Sequence, residues 1–76
     1  MEINIIAKRE ISERFVEYKI QLERKDFKLC GFILESVEGL VNHHQSKDAP
    51  DEMIIDVPKG LIEEFEAIIN SLNVSW

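Results

Sequence analysis

Two adjacent histidines, His43 and His44, are the residues best suited to bind a metal ion, because Asp48, Asp51 and Glu52 follow them closely. Imidazole nitrogens and carboxylates both serve as zinc ligands. Adjacent side chains on a strand point to opposite faces, so the two histidines could hold one ion only if the strand ended before them. Their spacing from the acidic residues matches no known ligand pattern. The sequence therefore predicts histidines at a surface or a strand edge, with no metal site.

The single cysteine, Cys30, is the remaining candidate nucleophile. It lies in the apolar stretch of residues 30–34, and burial among apolar side chains raises the pKa of a thiol and lowers its reactivity. One cysteine forms no internal disulfide, which favours a reduced thiol in a reducing compartment. The five serines lie outside any nucleophile elbow, and the three glycines form no phosphate-binding loop. These observations predict a protein that is not an enzyme and carries no cofactor.

The charge balance argues against a polyanionic partner. Nine basic and fifteen acidic residues give a net charge of −6, which repels a nucleic-acid backbone and an anionic membrane. The longest apolar run, residues 29–34, is far shorter than the roughly 20 residues that span a bilayer. The apolar residues near the N-terminus are interrupted by Asn4 and followed at once by Lys8, so they do not resemble a signal peptide. We therefore expect a cytoplasmic protein that binds neither nucleic acid nor membrane.

The length of 76 residues predicts one domain, residues 1–76, and the apolar pattern predicts two helices in it. The first covers residues 27–38, with Asp26 as its N-terminal cap and Gly39 ending it in the left-handed conformation. Its predicted core face spans about 160° and consists of Phe27, Leu29, Cys30, Ile33, Leu34 and Val37. The second helix covers residues 61–72, and its glutamates are expected to point to solvent, namely Glu63, Glu64 and Glu66.

Alternation of apolar and polar residues predicts strands at residues 14–23 and 53–57, with a weaker one at residues 40–45. The resulting β-α-β-β-α order is that of a ferredoxin-like α+β fold without its last strand, with both helices on one face of an antiparallel sheet. Residues 3–7 are expected to replace that strand by pairing with residues 14–23. The connection between the two contains no Gly, Pro or Asn, so it carries no strong turn signal.

Two segments resemble the bacterial family called domain of unknown function 4911. The first is residues 26–39, DFKLCGFILESVEG, followed by Leu40, and the second is residues 56–60, DVPKG, followed by an acidic amphipathic helix. The resemblance extends over residues 18–72. It implies a small α+β fold, and it assigns neither an activity nor catalytic residues. The order of elements is also similar to that of ACT domains, which bind amino acids at subunit boundaries.

Phe32 leaves the predicted core face of the first helix and projects with Lys28 and Ser36 toward its polar side. Gly31 beside it costs about 1 kcal/mol of helix stability relative to Ala, which is more readily tolerated where another backbone approaches closely. We expect these four residues to form the interface of a homodimer or the contact with another protein partner. The alternative is that Phe32 and Trp76 pack locally.

The sequence thus predicts a non-enzymatic module that acts by association with itself or with a protein partner. The alternative function is an ACT-like sensor of an amino acid or another carboxylate. Its ligand would lie at Arg24, Lys25 and Asp26, where two cations and a helix N-terminus could hold a negative charge.

Overall fold

Four antiparallel strands form one sheet in the computed structural model, which describes residues 1–40 and 42–75. The strands are β1 (Asn4–Glu10), β2 (Phe15–Gln21), β3 (His43–Gln45) and β4 (Glu52–Pro58), in the spatial order β1-β2-β4-β3. The helices are α1 (Phe27–Glu35) and α2 (Ile62–Ser75), and each follows a 3-10 turn, Arg24–Asp26 and Lys59–Leu61 respectively. The predicted α+β, ferredoxin-like arrangement is confirmed.

The core lies between the sheet and the two helices because β4, and β2 from Glu17 onward, alternate between buried and partly exposed residues. The register of β2 against β4 places Tyr18 opposite Ile55 and Ile20 opposite Met53, and all four side chains are buried. Both helices add to the same cluster through Cys30, Leu34, Phe65, Ile69 and Leu72. Since one cluster contains residues of both helices and of one sheet face, α1 and α2 pack on that face and leave the other face open.

The N-terminal strand takes the place predicted for it. β1 pairs antiparallel with β2 along its length, from Asn4 opposite Gln21 to Glu10 opposite Val16, with an irregularity between Ile5 and Ala7. The strand extends to Glu10, three residues beyond the predicted end. It occupies the sheet edge next to β2, which is the position that a last strand would fill in a ferredoxin-like fold.

The turn between β1 and β2 is built around a serine that the sequence analysis did not weigh. The Ser12 hydroxyl accepts hydrogen bonds from the backbone N–H groups of Arg14 and Phe15, both at 3.1 Å. Serine hydroxyls mimic a backbone turn in this way. The connection therefore needs no glycine, proline or asparagine.

The first helix begins at Phe27 as predicted, but its end and its N-terminal cap differ from the prediction. It ends at Glu35, three residues early, and the chain continues through a turn in which Leu40 N–H donates to Val37 O. Gly39 has a φ of 97°, so the predicted left-handed residue is present, although it closes the turn and not the helix. At the start, Asp26 directly precedes α1 but makes no capping hydrogen bond, because the 3-10 turn already gives it a helical backbone.

The buried face of α1 is rotated relative to the predicted one. Its buried residues are Cys30, Gly31 and Leu34, so this face is centred on the side where β3 packs. Leu29, predicted in the core, lies at the opposite margin and is 38% exposed. Glycine has no side chain and so adds nothing to the apolar pattern. The pattern therefore placed the buried face of α1 too far toward Leu29.

The third strand is shorter than predicted, and the second helix is longer. The third strand was expected over residues 40–45, and β3 covers only His43–Gln45, while Leu40 is buried in the core before it. Val41 of that predicted strand lies outside the described residues. The second helix is confirmed, beginning one residue later and ending three residues later than expected.

Asn73 of α2 holds the N-terminal segment in place through both polar atoms of its side chain. Its Oδ1 accepts from Ile3 N at 2.6 Å, and its Nδ2 donates to Ile3 O at 2.9 Å. Ile3 is only 3% exposed, so water has little access to these backbone groups. The amide side chain of Asn73 thereby joins the backbone just before β1 to the last helix.

We predict that Asn73→Ala lowers the free energy of unfolding by about 1 to 3 kcal/mol, because it leaves the Ile3 N–H and C=O without partners. The matched control is Asn70→Ala, an exposed position on the same helix, which should change stability by no more than about 0.5 kcal/mol. Urea denaturation followed by circular dichroism measures both. Equal stabilities for the two variants would show that the Asn73 hydrogen bonds contribute nothing.

Candidate functional site

A groove runs between α1 and the edge strand β3 on the outer side of the molecule. We call it the α1–β3 groove, and its lining residues are Phe27, Lys28, Gly31, Phe32, Glu35 and His43. It thus includes three of the four residues predicted to form an interface, Lys28, Gly31 and Phe32. Both walls are regular elements, so the positions of the side chains are set by the fold.

Gly31 forms the floor of the groove because His43 packs directly against it. A Cβ at position 31 would lie 3.0 Å from His43 Cε1, closer than an ordinary van der Waals contact. The His43 ring is also fixed by Glu35, whose Oε1 lies 3.2 Å from His43 Nε2. The sequence suggested that another backbone approaches Gly31, whereas the structure places a side chain of the same chain, the ring of His43, against it.

Phe32 projects away from the core at the edge of this groove. It is 73% exposed, and of the aromatic side chains that the structure describes it alone is exposed. Lys28 and Ser36, one turn before and after it, are exposed as well, and the Ser36 hydroxyl donates to the Ile33 carbonyl. Local packing does not cover Phe32. The alternative prediction was that Phe32 and Trp76 pack locally, and Trp76 lies outside the described residues.

The two histidines point to opposite faces of the sheet, as the strand geometry predicts. His43 is paired with the buried Ile55 and faces the helices, whereas His44 is paired with Ile54 and faces the open side. In the described part of the chain, no group of three or more His, Cys, Asp or Glu side chains is placed to hold a metal ion.

Cys30 is buried in the core and is a poor nucleophile. Burial raises the pKa of its thiol from 9.0 to about 11, and the negative charge of Asp26 adds to the shift. The thiolate is the reactive form of cysteine, so a raised pKa lowers its reactivity at neutral pH. The expectation of a raised thiol pKa is confirmed.

We predict that Cys30 reacts with Ellman's reagent at pH 8 at least about a hundredfold more slowly in the folded protein than in guanidinium, because two pKa units reduce the thiolate fraction by that factor. The reaction is followed by absorbance. Comparable rates in the two states would contradict the buried position of the thiol.

Tyr18 and Glu66 form a polar contact inside the sheet–helix interface that the sequence analysis missed. The Tyr18 hydroxyl donates to Glu66 Oε2, and Lys8 Nζ lies 3.9 Å from the same oxygen. Glu66 is thus half-buried, although the helical pattern placed it toward solvent. Burial raises the pKa of Tyr18 from 10.0 to about 12, with further contributions from the hydrogen bond and the charge of Glu66.

This raised pKa predicts a loss of stability at alkaline pH. Between pH 10 and 12 the unfolded chain loses the Tyr18 proton while the folded chain retains it, so the free energy of unfolding falls as the pH rises through that window. Tyr18→Phe should reduce this fall, and Cys30 titrates alike in both proteins. Urea titrations at several pH values measure the difference. An equally steep fall in the variant would contradict the prediction.

The predicted ligand residues Arg24, Lys25 and Asp26 form the 3-10 turn before α1. Arg24 and Lys25 are exposed, and Lys25 Nζ lies 3.4 Å from Glu23 Oε2. A carboxylate ligand at this turn would meet the negative charges of Glu23 and Asp26 together with the two cations. The local charge therefore does not favour an anion, which weakens the ACT-like alternative.

The open face of the sheet carries compensated charges. Arg9 NH2 lies 3.1 Å from Glu17 Oε1, and Lys19 Nζ lies 3.9 Å from Glu52 Oε1. Ile54, which is paired with Lys19, is half-buried there. Arg9 and Lys19 are thus each neutralised by an acidic side chain.

Comparison with protein-family models, with curated proteins and with solved structures gives no match for this chain. Its function is therefore argued from its own geometry. Within residues 1–40 and 42–75, no helix combines the length and the apolar character needed to cross a membrane.

Proposed function

We propose that this chain is a non-enzymatic module that forms a homodimer through the exposed side of α1. The observation that carries the proposal is the exposure of Phe32 at the edge of the α1–β3 groove. Exposed large aromatic side chains are enriched in protein interfaces, where a few of them supply most of the binding free energy. A cytoplasmic location and membership of the domain of unknown function 4911 family belong to the same proposal.

The energetics favour self-association over a single-sided contact. Burial of one Phe side chain contributes about 1.5 to 3 kcal/mol. A two-fold symmetric interface contains every contact twice, so a patch centred on Phe32 contributes from both copies. A domain of this size buries only about 60% of its unfolded surface, so further burial in a dimer also stabilises the fold.

The free edge of β1 is a less suitable surface for a second copy. All seven of its residues are exposed, including Ile5 and Ile6, which alone would favour pairing with another strand. The strand, however, carries the charged run of Lys8, Arg9 and Glu10 and has an irregular register between Ile5 and Ala7. Charged side chains and bulges are the devices by which proteins prevent pairing at sheet edges.

We predict that Phe32→Glu yields a folded monomer, because association would bury an added carboxylate in an apolar contact. The core should be unaffected, since Phe32 lies outside it. The matched control is Val74→Glu, which introduces the same charge at an 86% exposed apolar residue of α2 and should leave the dimer intact. Light scattering at high micromolar concentration measures the mass of each protein.

The wild type should have twice the chain mass of 8.9 kDa in that measurement. A wild type that remains at the chain mass would overturn the proposal. A dimer that Phe32→Glu leaves intact would show that α1 is not the interface.

A further inference from the structure

We propose that the two copies pack α1 against α1 in an antiparallel, two-fold arrangement in which Lys28 of each subunit pairs with Glu35 of the partner subunit. This inference rests on the proposed function and adds the register of the interface to it. The two-fold axis passes between positions 31 and 32, so that the two Phe32 rings meet beside it. One ion pair lies at each end of this aromatic contact.

The spacing of Lys28 and Glu35 on α1 is what a two-fold axis requires. Seven residues separate them, which is close to two turns, about 10.5 Å along the helix and within about 20° around it. The two opposite charges therefore lie on one exposed stripe, equally far from its midpoint. Two antiparallel copies of this stripe bring each lysine opposite a glutamate, whereas parallel copies would place like charges side by side.

Both groups are available for a contact between subunits. Lys28 is exposed, and in the described part of the chain it pairs with no acidic side chain. The Glu35 side chain is 53% exposed, and its contact with His43 uses Oε1. A carboxylate has a second oxygen with its own acceptor sites, so Glu35 can accept from Lys28 and keep His43.

The two sides of the stripe differ in a way that fits this arrangement. Gly31 lies on the side covered by His43, and Phe32 lies on the other, uncovered side. A two-fold axis perpendicular to both helices leaves each residue on the same side of the helix–helix contact in both subunits. Phe32 of one subunit therefore meets Phe32 of the partner subunit on the uncovered side. Leu29, 38% exposed and one turn earlier, extends the same apolar contact.

The overall charge of the chain opposes dimerisation. Each chain carries a net charge of −6, so two copies repel each other at long range. Opposite charges that meet directly offset this repulsion at the contact and select one relative orientation. A purely apolar contact at Phe32 would leave the orientation of the two helices undetermined.

The test uses two charge reversals, Lys28→Glu and Glu35→Lys, alone and mixed. Alone, each places like charges together twice in the dimer, and we expect its dissociation constant to rise by about tenfold or more. Mixed in equal amounts, the two variants should form a heterodimer at wild-type affinity, because both contacts again join a lysine and a glutamate. The double variant Lys28→Glu/Glu35→Lys should also dimerise as the wild type does.

Native mass spectrometry with one variant labelled with ¹⁵N detects the heterodimer by its intermediate mass, and sedimentation gives the affinities. Lys47→Glu and Glu64→Lys are the matched controls, since they make the same charge changes at exposed positions away from α1. Each should dimerise like the wild type, and their mixture should give a statistical distribution. Circular dichroism verifies that every variant is folded, because Glu35→Lys also removes the contact with His43.

Three results would overturn this register. Single reversals that dimerise as the wild type does would show that Lys28 and Glu35 do not meet, and reversals that stay monomeric after mixing would show that the pairing is not reciprocal. Either result leaves the proposed homodimer standing as long as the wild type is dimeric. A monomeric wild type would overturn both the register and the proposed function.

Discussion

The pairing of β2 with β4 is the interaction on which the rest of the structure depends. These strands occupy the centre of the sheet and remain in register from Phe15 opposite Pro58 to Gln21 opposite Glu52. A shift by one residue would turn Tyr18 and Ile20 to the open face and bring Glu17 and Lys19 into the core. Both helices pack against the side chains that this register presents, and β1 and β3 each add to one outer edge of the pair.

The same register determines the candidate site. In this register Ile55 faces the core, and its cross-strand pairing with His43 directs the His43 ring toward α1. Gly31 is the residue of α1 that allows this ring to approach, and Glu35 holds the ring by its nitrogen. With the inner side of α1 filled in this way, Phe32 is left on the outer side.

The sequence predicted the elements better than their contacts. The alternation of apolar and polar residues in β2 and β4 and the apolar face of α2 were sufficient to place these two strands and the second helix, because such patterns depend only on backbone geometry. The sheet arrangement followed from the ferredoxin-like order of the elements. Leu29 was misplaced because the buried face of α1 is centred near Gly31, a residue with no apolar side chain to count. The apolar pattern of α2 placed Glu66 toward solvent. A pattern within one helix contains no information on Tyr18, which is 48 residues away and donates a hydrogen bond to Glu66. The exposure of Phe32 was predictable, whereas the contact of His43 with Gly31 depends on where β3 lies beside α1.

The two hydrogen bonds between Asn73 and Ile3 join residues 70 positions apart, and this separation bears on the order in which the chain can fold. During synthesis, Ile3 leaves the ribosome long before Asn73 has been added. The N–H and C=O groups of Ile3 must therefore remain solvated, and its side chain uncovered, until the last turns of α2 have emerged. Contacts that span nearly the whole chain form slowly, since a long loop must close before they stabilise anything. The Ile3 side chain, 3% exposed after folding, consequently stays uncovered until α2 is complete. Until then it lies beside Ile5 and Ile6 in a segment that offers a chaperone more apolar surface than the folded protein does.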